Sequence, residues 1–333
     1  SIKDTVEIGE PLEFKVAFKN VSDIAFDSLR VKIMIVDNSN TPTILQDIRY
    51  KPLVANDTIL IQQSIDSRKF VGLNSLILEV NPNSDQPEQY HFNNFAYKNL
   101  YVVRDTLNPL LDVTFDNIHI LNNDIISPKP DILIKLKDNA KWNLLNDTDL
   151  VNIKVSFPDG IVKNYYFNDI DTLKFTGAQS STDNSATVNF RPYFYMDGTY
   201  ELIVSGKDKS DNAAGKLEYR RTFEVYNKSM ISNLLNYPNP FTTSTAFVFT
   251  LTGSEIPQEF KIQILTVTGK VVREITRQEL GRLQIGRNIT EYKWDGTDQF
   301  GQKLANGVYL YRVITSLGGK VLDKFNSKNE NEN

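Results

Sequence analysis

Alternation of apolar and polar residues with a period of two, broken at short intervals by Asn, Asp, Gly and Pro, constrains this chain more than any other feature. Leu12, Phe14, Val16 and Phe18 alternate with Glu13, Lys15 and Ala17, and Leu29, Val31, Ile33 and Ile35 repeat the pattern after a polar turn at residues 20–23. Successive side chains of a strand point to opposite faces, so this spacing predicts half-buried strands with one apolar face each. Residues 59–65, 76–80 and 97–103 extend the pattern through the first third of the chain. Ile132, Ile134 and Leu136, then Val151, Ile153 and Val155, then Ala186, Val188 and Phe190 carry it through the middle. Residues 247–249, 260–265 and 271–275 carry it through the last part. No helix-length period of 3.6 competes with it. Short strands separated by turn residues predict an all-β chain of packed β-sandwiches.

Composition narrows the function classes. A chain of 333 residues is long enough for two or three domains, and 40% hydrophobic residues suffice for a packed core in each. The 37 basic and 41 acidic residues are interspersed and form no basic stripe, which argues against nucleic-acid binding. Cysteine is absent, so disulfides, thiolate catalysis and Cys-ligated metals are excluded within these residues. No run of eighteen apolar residues predicts a membrane span, and no charged and apolar leader follows Ser1. A start at Ser1 in strand-rich sequence is expected of a fragment of something longer.

The stretch Asn236-Tyr237-Pro238-Asn239-Pro240-Phe241 reads as a doorway between domains. Its two prolines fix φ and remove two backbone donors, so neither a helix nor a central strand is expected to run through it. Tyr237 and Phe241 are expected to pin it to the domain that follows. The resulting division is 1–104, 105–227 and 228–326, with a polar tail at 327–333 expected to be disordered.

Candidate chemistry is sparse. Asp208, Asp211 and Asn212 could hold a calcium ion between strands, although hairpin turns select the same residue types without a metal. The polar stretch from Asn81 through Asp85 and Glu88 to Asn94 poses the same choice between an Asx-turn loop and a calcium role. His91 and His119 fall in different predicted domains and lack partners at zinc spacing. Asp295 and Asp298 are paired acids inside a turn motif, where Asp serves turn hydrogen bonds more readily than glycosidase chemistry. Tyr193, Phe194 and Tyr195 are read as core or corner residues, with a binding platform as the alternative. No nucleophile elbow, phosphate-binding Gly loop or His-Glu-x-x-His stretch occurs. These residues are therefore expected to be non-catalytic.

Several motifs resemble known domains. Asp197-Gly198-Thr199-Tyr200, followed by Asp208, Asn212 and Phe223, resembles the closing segment of bacterial immunoglobulin-like (Ig-like) repeats, with Tyr200 as a tyrosine corner. The corner recurs at Asn306-Gly307-Val308-Tyr309, ~100 residues on, about one sandwich length later. The polar loop near residue 81 resembles that of cell-adhesion-related (CARDB-like) domains of bacterial surface proteins. "YPNPF", "GKVVREI", "WDGTDQFGQ" and "NGVYLYRV", in that order, resemble the Ig-like domain first described in the flagellar hook-capping protein. That resemblance implies a core anchor at Trp294, tight turns at Asp295-Gly296 and Gly301, and a positive φ at Gly307 ahead of Tyr309. The same order is similar to C-terminal sorting domains of the Bacteroidota type IX secretion system. The chain departs from those in its "WDGTDQFGQ" insertion and in lacking a lysine-rich final strand.

Taken together, the resemblances imply three consecutive Ig-like β-sandwich domains. They are similar in order to the C-terminal region of gingipain-like (C25) peptidases linked to type IX secretion, whose catalytic domain would lie upstream. A cell-surface adhesin or secreted cargo protein is the alternative. Either implies an extracellular or outer-membrane-surface location and protein partners in an export or surface assembly. No cofactor is implied apart from the calcium candidate.

Overall fold

The computed structural model describes residues 2–50, 52–84, 86–168, 171–321 and 323–324. Strands and turns make up almost all of it, with two short 3₁₀ turns at Ser67–Lys69 and Thr148–Leu150. Six sheets pair around three separate apolar cores, which establishes the all-β, Ig-like sandwich class.

In the first unit, β1 (Thr5–Glu7), β2 (Pro11–Lys19), β3 (Leu29–Asp37), β4 (Pro42–Tyr50), β5 (Thr58–Asp66), β6 (Gly72–Val80) and β7 (Phe95–Val103) follow in chain order. One sheet runs β1-β7-β6-β3-β4, and β2 and β5 form the other. The alternation read from the sequence decides which faces meet. Val31, Ile33 and Ile35 of β3 share a core with Leu12 and Phe14 of β2, while the intervening Arg30, Lys32 and Met34 are only partly covered. β4 was not legible in the pattern. It opens on Pro42 and is largely exposed, as suits an edge strand.

The second unit contains β8 (Leu110–Phe115), β9 (Asp124–Ile126), β10 (Ile132–Lys137), β11 (Val151–Ser156), β12 (Val162–Tyr165), β13 (Leu173–Thr176), β14 (Ser185–Phe190), β15 (Gly198–Gly206) and β16 (Tyr219–Val225). The sheets are β13-β14-β10-β8 and β12-β11-β15-β16-β9. Phe194, Tyr200 and Phe223 form an aromatic knot between them. Phe194 lies 4.7 Å from Tyr200, and Tyr200 stacks on Phe223 at 5.7 Å. The Tyr200 hydroxyl donates to the Met196 carbonyl at 2.9 Å and accepts from the Met196 N–H at 3.1 Å. That is the expected tyrosine corner. Phe194 belongs to the core, whereas Tyr193 and Tyr195 are exposed.

The third unit holds β17 (Met230–Tyr237), β18 (Ala246–Leu251), β19 (Glu259–Leu265), β20 (Val271–Ile275), β21 (Gly286–Ile289), β22 (Leu310–Leu317), β23 (Lys320–Val321) and β24 (Asp323–Lys324). Its sheets are β21-β18-β17-β24 and β20-β19-β22-β23. Trp294 anchors the core. Its Nε1–H donates to the Thr297 carbonyl at 2.8 Å, and its ring meets Phe241 at 5.5 Å and Tyr309 at 5.6 Å. Asp295 and Asp298 accept from turn N–H groups of Thr297, Phe300 and Gln302, and Gly296 and Gly301 take positive φ beside them.

Three expectations for this unit are corrected. The Pro-rich hexapeptide is not a doorway. β17 runs into it as far as Tyr237 and pairs with β18, so the motif is the hairpin connection inside the third unit. Pro238 and Pro240 fall just past the strand end, where a missing donor costs no ladder bond, and both are preceded by cis peptides. Tyr237 does not pin the segment, since it is 72% exposed, and the contact falls to Phe241 alone. Gly307 is not at positive φ; the Tyr309 corner is reached without a left-handed residue there. The corner bond itself forms, the Tyr309 hydroxyl donating to the Ala305 carbonyl at 2.8 Å. The tail at 327–333, Asp85 and Phe325 lie outside the described residues.

The units meet closely. Gly9, at φ +85°, brings the first unit against Trp142 and Asn143 of the second; a Cβ there would stand 2.6 Å from Asn143 Oδ1. Arg68 Nε donates to that same oxygen at 3.0 Å, and Arg68 Nη2 donates to the Trp142 carbonyl at 3.1 Å. At the other junction Gly286 of β21 lies against the Ile125 carbonyl of β9, with no room for a Cβ.

Candidate metal centre

Three aspartates converge where the link from β7 enters the second unit. Asp105 lies in that link, Asp138 directly follows β10, and Asp208 sits in the turn after β15. One carboxylate oxygen from each lies within 4.8 Å of the other two. Asp138 is 6% exposed and Asp208 only 1%. Each of the three stands one or two residues past the end of a strand, so the sandwich topology gathers them at one end of the fold.

The local hydrogen bonds orient each carboxylate and leave part of the set unpartnered. Asp208 Oδ1 accepts from the Ser210 and Asn212 N–H groups at 2.7 and 2.9 Å, closing the turn. Asn212 Nδ2 donates to Asp208 Oδ2 at 2.8 Å and to the Asp105 carbonyl at 3.2 Å, tying the link to the turn. Asp138 Oδ1 accepts from the Asn139 N–H at 2.8 Å, and Asp105 Oδ1 from the Leu107 N–H at 3.0 Å. Asp138 Oδ2 and Asp105 Oδ2 are buried with no hydrogen-bond partner. Among the described residues, no Lys, Arg or His forms an ion pair with any of the three. Burial pushes the Asp138 carboxyl above its ordinary value, and the neighbouring Asp105 and Asp208 charges push the same way.

The sequence-level candidates are divided by this geometry. Asp208 belongs to the cluster. Asp211 turns away to Lys207 Nζ at 2.7 Å and is outside it. Asn212 acts as a brace that holds Asp208 and the link through its amide. Asp105 and Asp138 were missed because no local spacing joins positions 105, 138 and 208. The legible signal would have been an acid immediately beyond each of several strand ends. The other polar loop is held by Asn81, whose Nδ2 donates to the Gln86 carbonyl at 3.0 Å and whose Oδ1 accepts from the Gln86 N–H at 3.1 Å. His91 approaches Glu88 at 3.3 Å and His119 approaches Asp112 at 2.8 Å, each in its own unit.

Residues 236–319 match the FlgD Ig-like domain family. No curated protein matches the chain in sequence. Among solved structures, latent dimeric PorU from Porphyromonas gingivalis is similar at 15% identity and TM-score 0.28, over 95% of this chain and 31% of its own. The CARDB domain of a Pyrococcus furiosus protein, solved with di-metal ions, is similar at 19% identity and TM-score 0.28, over 31% of this chain and 83% of its own. A tetra-tandem repeat from the extending region of a large adhesion protein is similar at 13% identity and TM-score 0.27, over 97% of this chain and 70% of its own. The chain thus spans about a third of the PorU structure. Among the described residues no helix is long and apolar enough to cross a membrane.

Proposed function

We propose that these residues form a non-catalytic stalk or scaffold of a larger exported bacterial surface protein, and that the parent is a type IX secretion-associated, gingipain-like peptidase. The observation that supports this most is the serial arrangement of three sandwiches around separate cores, joined by tight polar and backbone contacts and ending in an FlgD-type Ig-like unit. Such an arrangement suits spacing and docking. Rigid modules hold other parts at a set distance, and loop ends and sheet edges meet partners. In this reading the third unit contacts export or surface machinery, and the protein works at the cell surface.

The test is the intact mass and N-terminal sequence of the native protein recovered from a producing cell. A species far heavier than 38.0 kDa that begins in a Cys/His peptidase domain supports the proposal. A native species consisting of Ig-like repeats without a peptidase domain refutes the peptidase parent and favours an adhesin.

A further inference from the structure

We infer that Asp105, Asp138 and Asp208 bind a calcium ion that locks the link between the first two units onto the end of the second.

The inference rests on the three-carboxylate geometry, on the unpartnered oxygens and on what surrounds them. Three oxygens within 4.8 Å of one another fit around a single cation, since ligands at about 2.4 Å on opposite sides of an ion stand about that far apart. Asp138 is more than nine-tenths buried, and its Oδ2 has no hydrogen-bond donor. Buried carboxylates are ordinarily paired or bound to metal, because an unpaired charge in the interior is costly. Here three lie together, and among the described residues no basic side chain forms an ion pair with them. The donors are all hard oxygens, and neither imidazole nor thiolate is in the set. That combination favours calcium over zinc or copper.

The placement says what the ion would do. Asp138 and Asp208 are fixed by the second unit, whereas Asp105 belongs to the link that leaves β7. The segment that follows Asp138 carries Trp142 and Asn143, the residues that receive Gly9 and Arg68 of the first unit. Asn143 Nδ2 also donates to Ser210 Oγ at 3.3 Å, in the turn whose Ser210 N–H closes on Asp208. Ion, link and docking surface therefore share the same two loops. Filling the site would stiffen the junction, and emptying it would loosen the junction while leaving both cores intact.

The experiment uses the full 333-residue chain, stripped with EDTA and dialysed into metal-free buffer. Calcium chloride is titrated calorimetrically, with magnesium chloride as a parallel arm. One calcium per chain is expected, at about 10⁻⁴–10⁻³ M or tighter, as for extracellular modules. Asp105→Asn should weaken binding at least tenfold, and Asp138→Asn should do so while keeping its bond to the Asn139 N–H. Asp211→Asn, which alters only the Lys207 pair, should bind calcium like the unsubstituted chain. Circular dichroism establishes that each variant is folded. Limited proteolysis of the link between β7 and β8 should slow several-fold on adding calcium to the unsubstituted chain, but not to Asp105→Asn.

Absence of calcium binding, with cutting of the link unchanged by EDTA, would overturn the inference and leave a protonated Asp138 as the explanation for the cluster. Binding lost in Asp211→Asn but retained in Asp105→Asn would also overturn it, as would binding of magnesium alone. None of these outcomes depends on whether the parent protein is a peptidase.

Discussion

Replacing Tyr200 by Phe and, separately, Tyr309 by Phe tests whether the two tyrosine corners do the same work. The ring is kept in both cases, so no cavity is created and the change isolates the hydroxyl. At Tyr200 the hydroxyl is buried in an aromatic knot and makes two bonds to Met196, one donated and one accepted. Each such bond contributes about 1 kcal/mol net, and a buried backbone group left without a partner costs about 1–3 kcal/mol. The expected loss is about 2–3 kcal/mol. At Tyr309 there is one bond, to the carbonyl of exposed Ala305, and water can replace it. The expected loss there is about 0.5 kcal/mol. Global melting is a poor assay for a multi-unit chain, because its transitions overlap. Hydrogen exchange resolves the units separately, through the slowest amides of β11 and β15 for the second and of β19 and β22 for the third. Since 1.4 kcal/mol is tenfold, exchange should accelerate about thirtyfold or more in the second unit of Y200F and about twofold in the third unit of Y309F. Equal effects, or a larger one in Y309F, would refute the claim that burial and bond number set the value of the corner.

Other expectations concern the core, the junction and alkaline pH. Trp294→Ala removes a buried anchor together with its bond to Thr297 and should cost about 3–5 kcal/mol, enough to unfold the third unit while the slow amides of the second stay protected. Gly9→Val places a β-branched residue at φ +85° against Asn143, and should cost about 1–3 kcal/mol, read as faster exchange of amides near Trp142 and Asn143. Tyr165 is pushed up to about 12 by burial, and burial raises Tyr200 in the same direction. The folded state therefore holds these protons above pH 10, where the unfolded chain releases them. Stability of the second unit should fall from pH 10 to about 12. Tyrosinate absorbance should then rise in step with loss of structure, and Y165F should move that transition to higher pH.

The period-two pattern made the inner strands legible because burial on one face leaves its mark on alternate residues. β2, β3, β10 and β14 are all visible in this way. β1 and β9, at three residues each, are too short to show a period, and β4 is too exposed. Proline misled the reading at residues 236–241. Proline fixes φ and removes a donor there, but a strand that has already ended at Tyr237 loses nothing by it. The Trp294 anchor followed from the motif it occupies. The acidic cluster did not, because its members are separated by whole strands and meet only once both sheets have formed. Its local half, the Asp208 turn with Asn212, could be read from the sequence, and Asp211 was drawn in with them because proximity in sequence was the only guide.

The short parallel pairings have a consequence for force. In the first unit β1 lies parallel to β7, and in the third β17 lies parallel to β24, so in these two units the first and last described strands run side by side in one direction. Tension applied through the chain pulls such a pair in opposite senses along its own axis. The hydrogen bonds between the strands then bear the load together, in shear, rather than opening one after another like a zipper. At both ends of this row of sandwiches, the strands that receive a tug are the ones arranged to resist it.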